Sequence, residues 1–398
     1  MTCDTIHART ASSSGVLSVT SHSEVDYLER LGMVLEHAMQ SGPPATVTEL
    51  LRQGQGATPD IVLDWLSATY GRSHIPSQVL RSGKRNAPRP ELHPLLFEWY
   101  FDSESVGFMA EAVAGFGSDI LCLGTPTVAA ELCRFAQAGP VALVDADAGV
   151  VERFRYLNRL NSLHVGELDT FPEGALYSVV VADPPWYLAD ALRWLKVARR
   201  HVRTGGAIVM PIFPELTRPT ASEERDQILA AAERLGRPEL FLNRLVYETP
   251  RFEEDALRAL GITDVGDWRA ADLLVVRDVQ GPADWNDLDG VHRGLTGWRR
   301  FEIGPQVIML REFETVARTN SVFVPIAGCP RNTLTSVSER DPRRGMIGLW
   351  TSRNRVAAVG DTAQAKAMLL DLSRETTAIP SAGGSSAHLF LRDLLFAT

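Results

Sequence analysis

The stretch Val179-Val180-Val181-Ala182-Asp183-Pro184-Pro185-Trp186-Tyr187 changes character within a single residue step. Four apolar residues run straight into an acid, two prolines and two aromatics. The run reads as a buried parallel strand whose C-terminal end opens into a rigid polar loop, and open α/β sheets bind their ligands at that end of their strands. Each proline fixes φ near about −65° and removes a backbone donor. The carbonyls of Asp183 and Pro184 are thereby left to accept, with Trp186 or Tyr187 held beside them. An amino group suits this loop. Its N–H bonds meet the carboxylate and the carbonyl, its lone pair is turned towards an electrophile, and a ring covers the flat or cationic part of the molecule. The same tetrapeptide also serves as an ordinary strand-ending turn, so the neighbouring sequence decides between the two.

Upstream, Ser118 to Gly124 is a short apolar strand. Thr125-Pro126-Thr127 and the helical spacing of Val128, Leu132 and Phe135 follow it, with Thr125 or Thr127 expected to cap the helix. Val141 to Asp145 is a second buried-type strand, and Asp145 stands about twenty residues beyond Gly124, the interval at which an acid meets ribose hydroxyls. Ala148 to Leu157 reads as a helix, Ser178 to Ala182 as a strand, Leu188 to Val202 as a helix and Gly206 to Pro211 as another strand. This alternation predicts an α/β, doubly wound, Rossmann-like sheet. After a polar insertion beyond residue 215, Leu245 to Pro250 and Ala271 to Arg277 read as late strands flanking a helix from Phe252 to Leu260.

In this order and spacing the chain resembles the S-adenosylmethionine-dependent methyltransferases. Within them it is similar to the N6-adenine methyltransferase group that includes the elongation factor 1A lysine methyltransferases. Three features carry the narrower likeness: the aromatic-rich Phe97-Glu98-Trp99-Tyr100-Phe101-Asp102-Ser103-Glu104, the turn Leu123-Gly124-Thr125-Pro126-Thr127, and the Asp-Pro-Pro-aromatic loop itself. It spans about residues 95 to 215. The resemblance implies S-adenosyl-L-methionine as cofactor, its amino-acid end near Gly124, Thr125 and Pro126, its ribose near Asp145, and Trp99, Tyr100 and Phe101 closing over it. Asp183, Pro184, Pro185 and Trp186 would form the catalytic loop of an N-methyltransferase acting on a protein lysine or on adenine. A single glycine stands where related chains carry Gly-x-Gly, which predicts a weaker hold on the donor. Two alternatives follow. One is a branched-chain polyamine synthase-like aminopropyltransferase, a family that also joins a winged helix to an Asp-Pro-Pro-aromatic loop but carries an acidic run where this chain has Thr125-Pro126-Thr127. The other is an inactive methyltransferase-fold regulator or binding protein.

At 398 residues with 45% hydrophobic and 22% charged residues, the chain has the composition of a multidomain globular protein. Its net charge of −9 argues against a sequence-independent grip on nucleic acid, so a protein or small-amine acceptor is expected ahead of a nucleobase. The four cysteines lack Cys-x-x-Cys spacing and the nine histidines do not cluster, so no metal site is expected. No run of 18 apolar residues occurs, and a cytoplasmic protein without membrane association is expected. Residues 1–21 read as a disordered N-terminus, 22–92 as a helical, winged-helix-like module, 93–282 as the methyltransferase-like core and 283–398 as a small α+β domain. In the module, Ser23, Thr48 and Pro59 mark three helix starts. Arg81, Lys84, Arg85 and Arg89 then read as a solvated linker or a nucleic-acid contact. Arg193, Lys196, Arg199, Arg200 and Arg203 read as the outward face of an amphipathic helix.

Overall fold

Period-two alternation in the apolar strands sorts the core into two layers. In β1 (Ile120–Leu123), Leu121 and Leu123 face one layer while Ile120 and Cys122 face the other; in β4 (Tyr177–Ala182), Val180 and Ala182 oppose Val179 and Val181. All eight are inaccessible to solvent. A sheet buried on both faces needs helices above and below, and the chain supplies them. The computed structural model describes residues 22–71, 91–135, 139–149, 152, 160–172, 174–263, 266–280, 297–312, 321–374 and 385–396.

The remaining strands of this sheet are β2 (Val141–Asp145), β3 (Leu160–Val165), β5 (Val202–Ile212), β6 (Arg237–Val246) and β7 (Ala270–Arg277). Their order is β3-β2-β1-β4-β5-β7-β6. The first five are parallel and β7 is antiparallel to both β5 and β6. The chain is thus an α/β protein with a doubly wound, Rossmann-like sheet of methyltransferase strand order. Helices α4 (Ser103–Phe116) and α5 (Pro126–Leu132) cover one face, while α6 (Leu188–His201) and α7 (Ala221–Leu235) cover the other.

Several local expectations are corrected. Helix α5 starts at Pro126 with Thr125 at the cap position, yet no hydroxyl caps it; proline, which has no N–H to satisfy, opens the helix instead. The polar insertion after residue 215 contains α7, whose Ile228, Ala231, Ala232 and Leu235 join the core at helical spacing. Arg193 of α6 is buried and sits 3.8 Å from Glu167, so it does not belong to the outward basic face. The helix expected at Ala148 to Leu157 lies mostly outside the described residues, as do Arg81, Lys84, Arg85 and Arg89.

Before the sheet stand α1 (His22–Ser41), α2 (Val47–Gln53) and α3 (Pro59–Tyr70). Helix α1 includes Ser23 rather than starting after it, and α2 is opened by a reciprocal capping box between Thr46 and Glu49. The module's buried Tyr27, Leu31, Leu51 and Leu66 share a core with Leu216, Leu257, Ile262 and Trp268 of the sheet domain. The Tyr27 hydroxyl also donates to the Leu216 carbonyl at 3.0 Å.

At the other end, β8 (Trp298–Ile303), β9 (Gln306–Arg311), β10 (Phe323–Val324), β11 (Leu349–Thr351) and β12 (Val356–Val359) form an antiparallel sheet in the order β10-β12-β11-β9-β8. Helices α9 (Thr362–Arg374) and α10 (Ser386–Phe396) cover one face. Between β7 and α7 of the first domain, α8 (Arg251–Ala259) meets this domain through the ion pair of Asp255 with Arg353 at 2.6 Å. Among the described residues no helix is long and apolar enough to cross a membrane.

Candidate active site

The strand order reverses at β1 and β4, and that crevice is where open α/β sheets take ligands. The register pairs Leu123 with Ala182, so Gly124 and Asp183 leave their strands side by side, and the Asp183 N–H donates to the Leu123 carbonyl at 3.3 Å. Gly124 has φ 59°, and a Cβ there would come within 2.7 Å of the Trp194 ring. Both facts require glycine. Two cavities open from this point. One, of about 160 Å³, lies over the strand ends; the other, of about 440 Å³, lies between the sheet domain, the N-terminal helices and the C-terminal domain. Asp183, Pro185, Phe97 and Trp99 line both.

The smaller cavity is bounded by Gly124, Pro126, Asp145, Trp99 and Tyr100. Thr125 is buried behind this wall, and Phe101 lies in the core with its ring stacked on Tyr247 at 4.5 Å. Neither of these two side chains belongs to the cleft surface, contrary to expectation; each faces the sheet. Among the described residues the charged lining is acidic, with Glu98, Asp145, Glu167, Asp183 and Asp190 against Arg193. Burial pushes the Asp145 carboxyl up to about 7, partly offset by the Asp147 N–H that donates to its Oδ1 at 2.9 Å. Glu98 is pushed well above the usual carboxylate range by burial and then by the charges of Asp147 and Asp145. An acid at the end of β2, a glycine allowing close backbone approach and a ring-lined mouth fit an adenosine carrying a positively charged sulfur.

The larger cavity takes Pro184, Trp186 and Tyr187 from the loop and adds residues that sequence reading did not single out. Chief among them is Tyr247, directly after β6, whose hydroxyl donates to Asp183 Oδ1 at 2.7 Å. A short ladder delivers it there. The Asp102 N–H reaches the Val246 carbonyl at 2.9 Å and the Glu248 N–H reaches the Tyr100 carbonyl at 2.8 Å, which clamps the aromatic stretch against the end of β6. Burial pushes the Asp183 carboxyl up to about 7 against the opposing pull of that hydroxyl. Trp186 meets Tyr247 edge to face at 5.7 Å.

Glu253 and Arg269 form a bonded pair in the same wall, and Trp99 Nε1 donates to Glu253 Oε2 at 3.1 Å. The Arg269 guanidinium lies 5.2 Å from the rings of both Trp99 and Trp186, and 4.7 Å from that of Trp268. The three rings thus hold the chain's own cation, paired with Glu253, in the wall of the cavity. The C-terminal domain closes the far side. The Glu339 N–H donates to the Tyr187 hydroxyl at 2.8 Å, and Arg340 pairs with Glu224 at 3.0 Å. Most of these contacts have no local sequence signal: Tyr247 and Asp183 stand 64 residues apart, and the Trp99–Glu253, Tyr187–Glu339 and Arg340–Glu224 contacts each span more than a hundred.

Tyr247→Phe should raise the apparent pKa of Asp183, because the lost hydroxyl favours the charged carboxylate. The check is the acid limb of the pH–rate profile, which moves to higher pH in the variant; an unmoved limb would detach Tyr247 from Asp183 function.

No protein-family model matches the chain, and no curated protein matches it. Solved structures do. The C9 mutein of the branched-chain polyamine synthase from Thermus thermophilus, in complex with N4-aminopropylspermidine and 5′-methylthioadenosine, aligns over 67% of this chain and 96% of its own at 16% identity, TM-score 0.48. A TehB-like methyltransferase from Corynebacterium glutamicum aligns over 44% and 89% at 14% identity, TM-score 0.30. An O-methyltransferase from Thermotoga maritima aligns over 47% and 69% at 14% identity, TM-score 0.32. At these scores the fold rests on the chain's own strand order, and the chemistry rests on the site.

Proposed function

We propose that the chain is an S-adenosylmethionine-dependent N-methyltransferase. One observation carries this reading: a cleft suited to an adenosine donor and a ring-lined cavity suited to an amine share Asp183 and Pro185 as a common wall. The donor would lie along Gly124, Pro126, Asp145, Trp99 and Tyr100, and it supplies an electrophilic methyl carbon on a sulfonium. The chain's own residues do the rest. Asp183 and the Pro184 carbonyl accept the N–H bonds of the acceptor, which aims its lone pair across the shared wall, and Trp186 packs against its alkyl or aromatic body. The proton shed by the nitrogen passes to Asp183, whose raised pKa suits a base near neutral pH. Positioning and charge placement supply most of the acceleration for an already nucleophilic amine.

Calorimetry with S-adenosylmethionine tests the donor half; transfer of labelled methyl to lysate fractions treated separately with nuclease and protease tests the acceptor half. The ring-lined cavity and the net negative charge support a protein side chain or small amine, so label should survive nuclease. No binding of the donor would sink the reading. Asp145→Ala should weaken donor binding ten- to a hundredfold, about 1.5–3 kcal/mol for lost charge-assisted bonds, without unfolding the chain. Unchanged affinity would remove Asp145 from the ribose.

A second reading, aminopropyl transfer to an amine, is favoured by the acid-rich lining of the donor cleft, where Arg193 is already held by Glu167. A donor bearing an ammonium and no carboxylate would meet that lining well. Tighter binding of the decarboxylated donor than of S-adenosylmethionine would decide for it.

A further inference from the structure

Asp145 and Glu98 line the donor cleft, and Asp147 is buried beside Asp145. Asp147 is occupied, its Oδ1 accepting from the Gly149 N–H at 2.7 Å and its Oδ2 from Arg300 of the C-terminal domain at 3.2 Å. Asp145 spends Oδ1 on the Asp147 N–H. Glu98 differs from both. Its carboxyl is approached by the His93 N–H, its Oε2 is buried with no hydrogen-bond partner, and the residue itself lines the cleft. Buried polar atoms are nearly always satisfied, and an unsatisfied one on a residue that lines a cleft calls for a partner from outside the chain.

The ligand's chemistry follows from what the cleft already offers. A ribose presents two neighbouring hydroxyls, each a donor in need of an acceptor. Asp145 has one oxygen committed within the chain, so a diol beside it calls for a second acceptor close by. Glu98 and Asp145 line the same cleft, and the Asp145 charge is among those that hold the Glu98 carboxyl up.

We propose that Glu98 is a second ribose receptor of the donor site, accepting one hydroxyl of the vicinal diol while Asp145 accepts the other. This assignment rests on the donor-cleft reading above. Glu98 belongs to the aromatic stretch that follows His93, so ribose recognition would also tie down the segment that carries Phe97 and Trp99 into both cavities. The stretch then reports donor occupancy to the acceptor side.

The probes are 5′-methylthioadenosine and its 2′-deoxy and 3′-deoxy forms, titrated calorimetrically into the full chain, Glu98→Ala and Glu98→Gln. Wild type should lose roughly tenfold in affinity for each deoxy form. Glu98→Ala should bind 5′-methylthioadenosine roughly tenfold more weakly than wild type, and for one of the two deoxy forms the further loss should vanish. Glu98→Gln, which keeps an accepting oxygen and the side-chain volume, should fall between them. Full discrimination against both deoxy forms in Glu98→Ala overturns the assignment and leaves the donor cleft standing. Failure of wild type to bind any of the three nucleosides overturns the donor cleft itself and this assignment with it.

Discussion

Asp183→Ala should lower turnover by about a hundredfold or more while the protein stays folded and holds the donor within about tenfold of wild type. The expectation follows from position. Asp183 leaves β4 at the switch point, its backbone is fixed to β1 and its Oδ1 to Tyr247, so the remaining oxygen has a defined direction. It is the carboxyl that touches both cavities together with Pro185. Desolvation raises its pKa from 3.8 to about 7. A base that works as carboxylate gains its active form as pH rises through that value, so the profile of kcat/KM should climb to a plateau above about pH 7 and fall on the acid side. Asp183→Asn, which keeps the shape and removes the charge, should lose both the activity and the acid limb. Wild-type turnover in Asp183→Ala would make the loop a structural turn.

How much of this was legible beforehand depends on how local each signal is. The Val179 to Tyr187 run, the Gly124 turn and Asp145 each carry their meaning within a few residues, since a strand end is marked by an abrupt change in polarity. Together they led to the sheet and its switch point; the antiparallel last strand was expected only from the family resemblance. Tyr247 was invisible for the opposite reason. It sits in a strand-like run with no polar signature, and its contact with Asp183 arises from pairing with the stretch around Tyr100, far away in sequence. Arg269 and Glu253 are ordinary charged residues until three tryptophans from separate segments converge on them. Arg193 misled because its spacing matches the outer face of α6, while the neighbouring Glu167 draws it inward. Glu98 stood in plain view inside the quoted aromatic stretch. Its significance depends on an unsatisfied oxygen, which only coordinates reveal.

Asp272→Ala should destabilise the sheet domain by about 3–5 kcal/mol, the cost of leaving a buried cation without its partner. Asp272 on β7 pairs with Arg225 of α7 at 2.7 Å, and their side chains are 4% and 8% exposed. Arg225 is further bound to the Phe213 carbonyl just after β5, so this one pair ties β7, α7 and the end of β5 together. Asp272 has a second task. Its Oδ1 accepts from the Asn243 N–H at 2.6 Å, and Asn243, at φ 49°, lies in the irregularity between Phe241 and Leu245 of β6. That irregularity sets the register with which β6 reaches Tyr247, and Tyr247 sets Asp183. The two effects can be separated. A double replacement, Arg225→Met with Asp272→Leu, removes both buried charges and fills their space, so most of the lost stability should return. The Asn243 anchor stays broken in that variant, so turnover should remain depressed and the acid limb of the pH profile displaced upward, as in Tyr247→Phe. Denaturation midpoints and pH–rate profiles of the single and double variants provide the check. Recovery of stability and turnover together would show that Asp272 serves the fold alone; recovery of stability without turnover would place the β6 irregularity in the chain of contacts that aims Asp183.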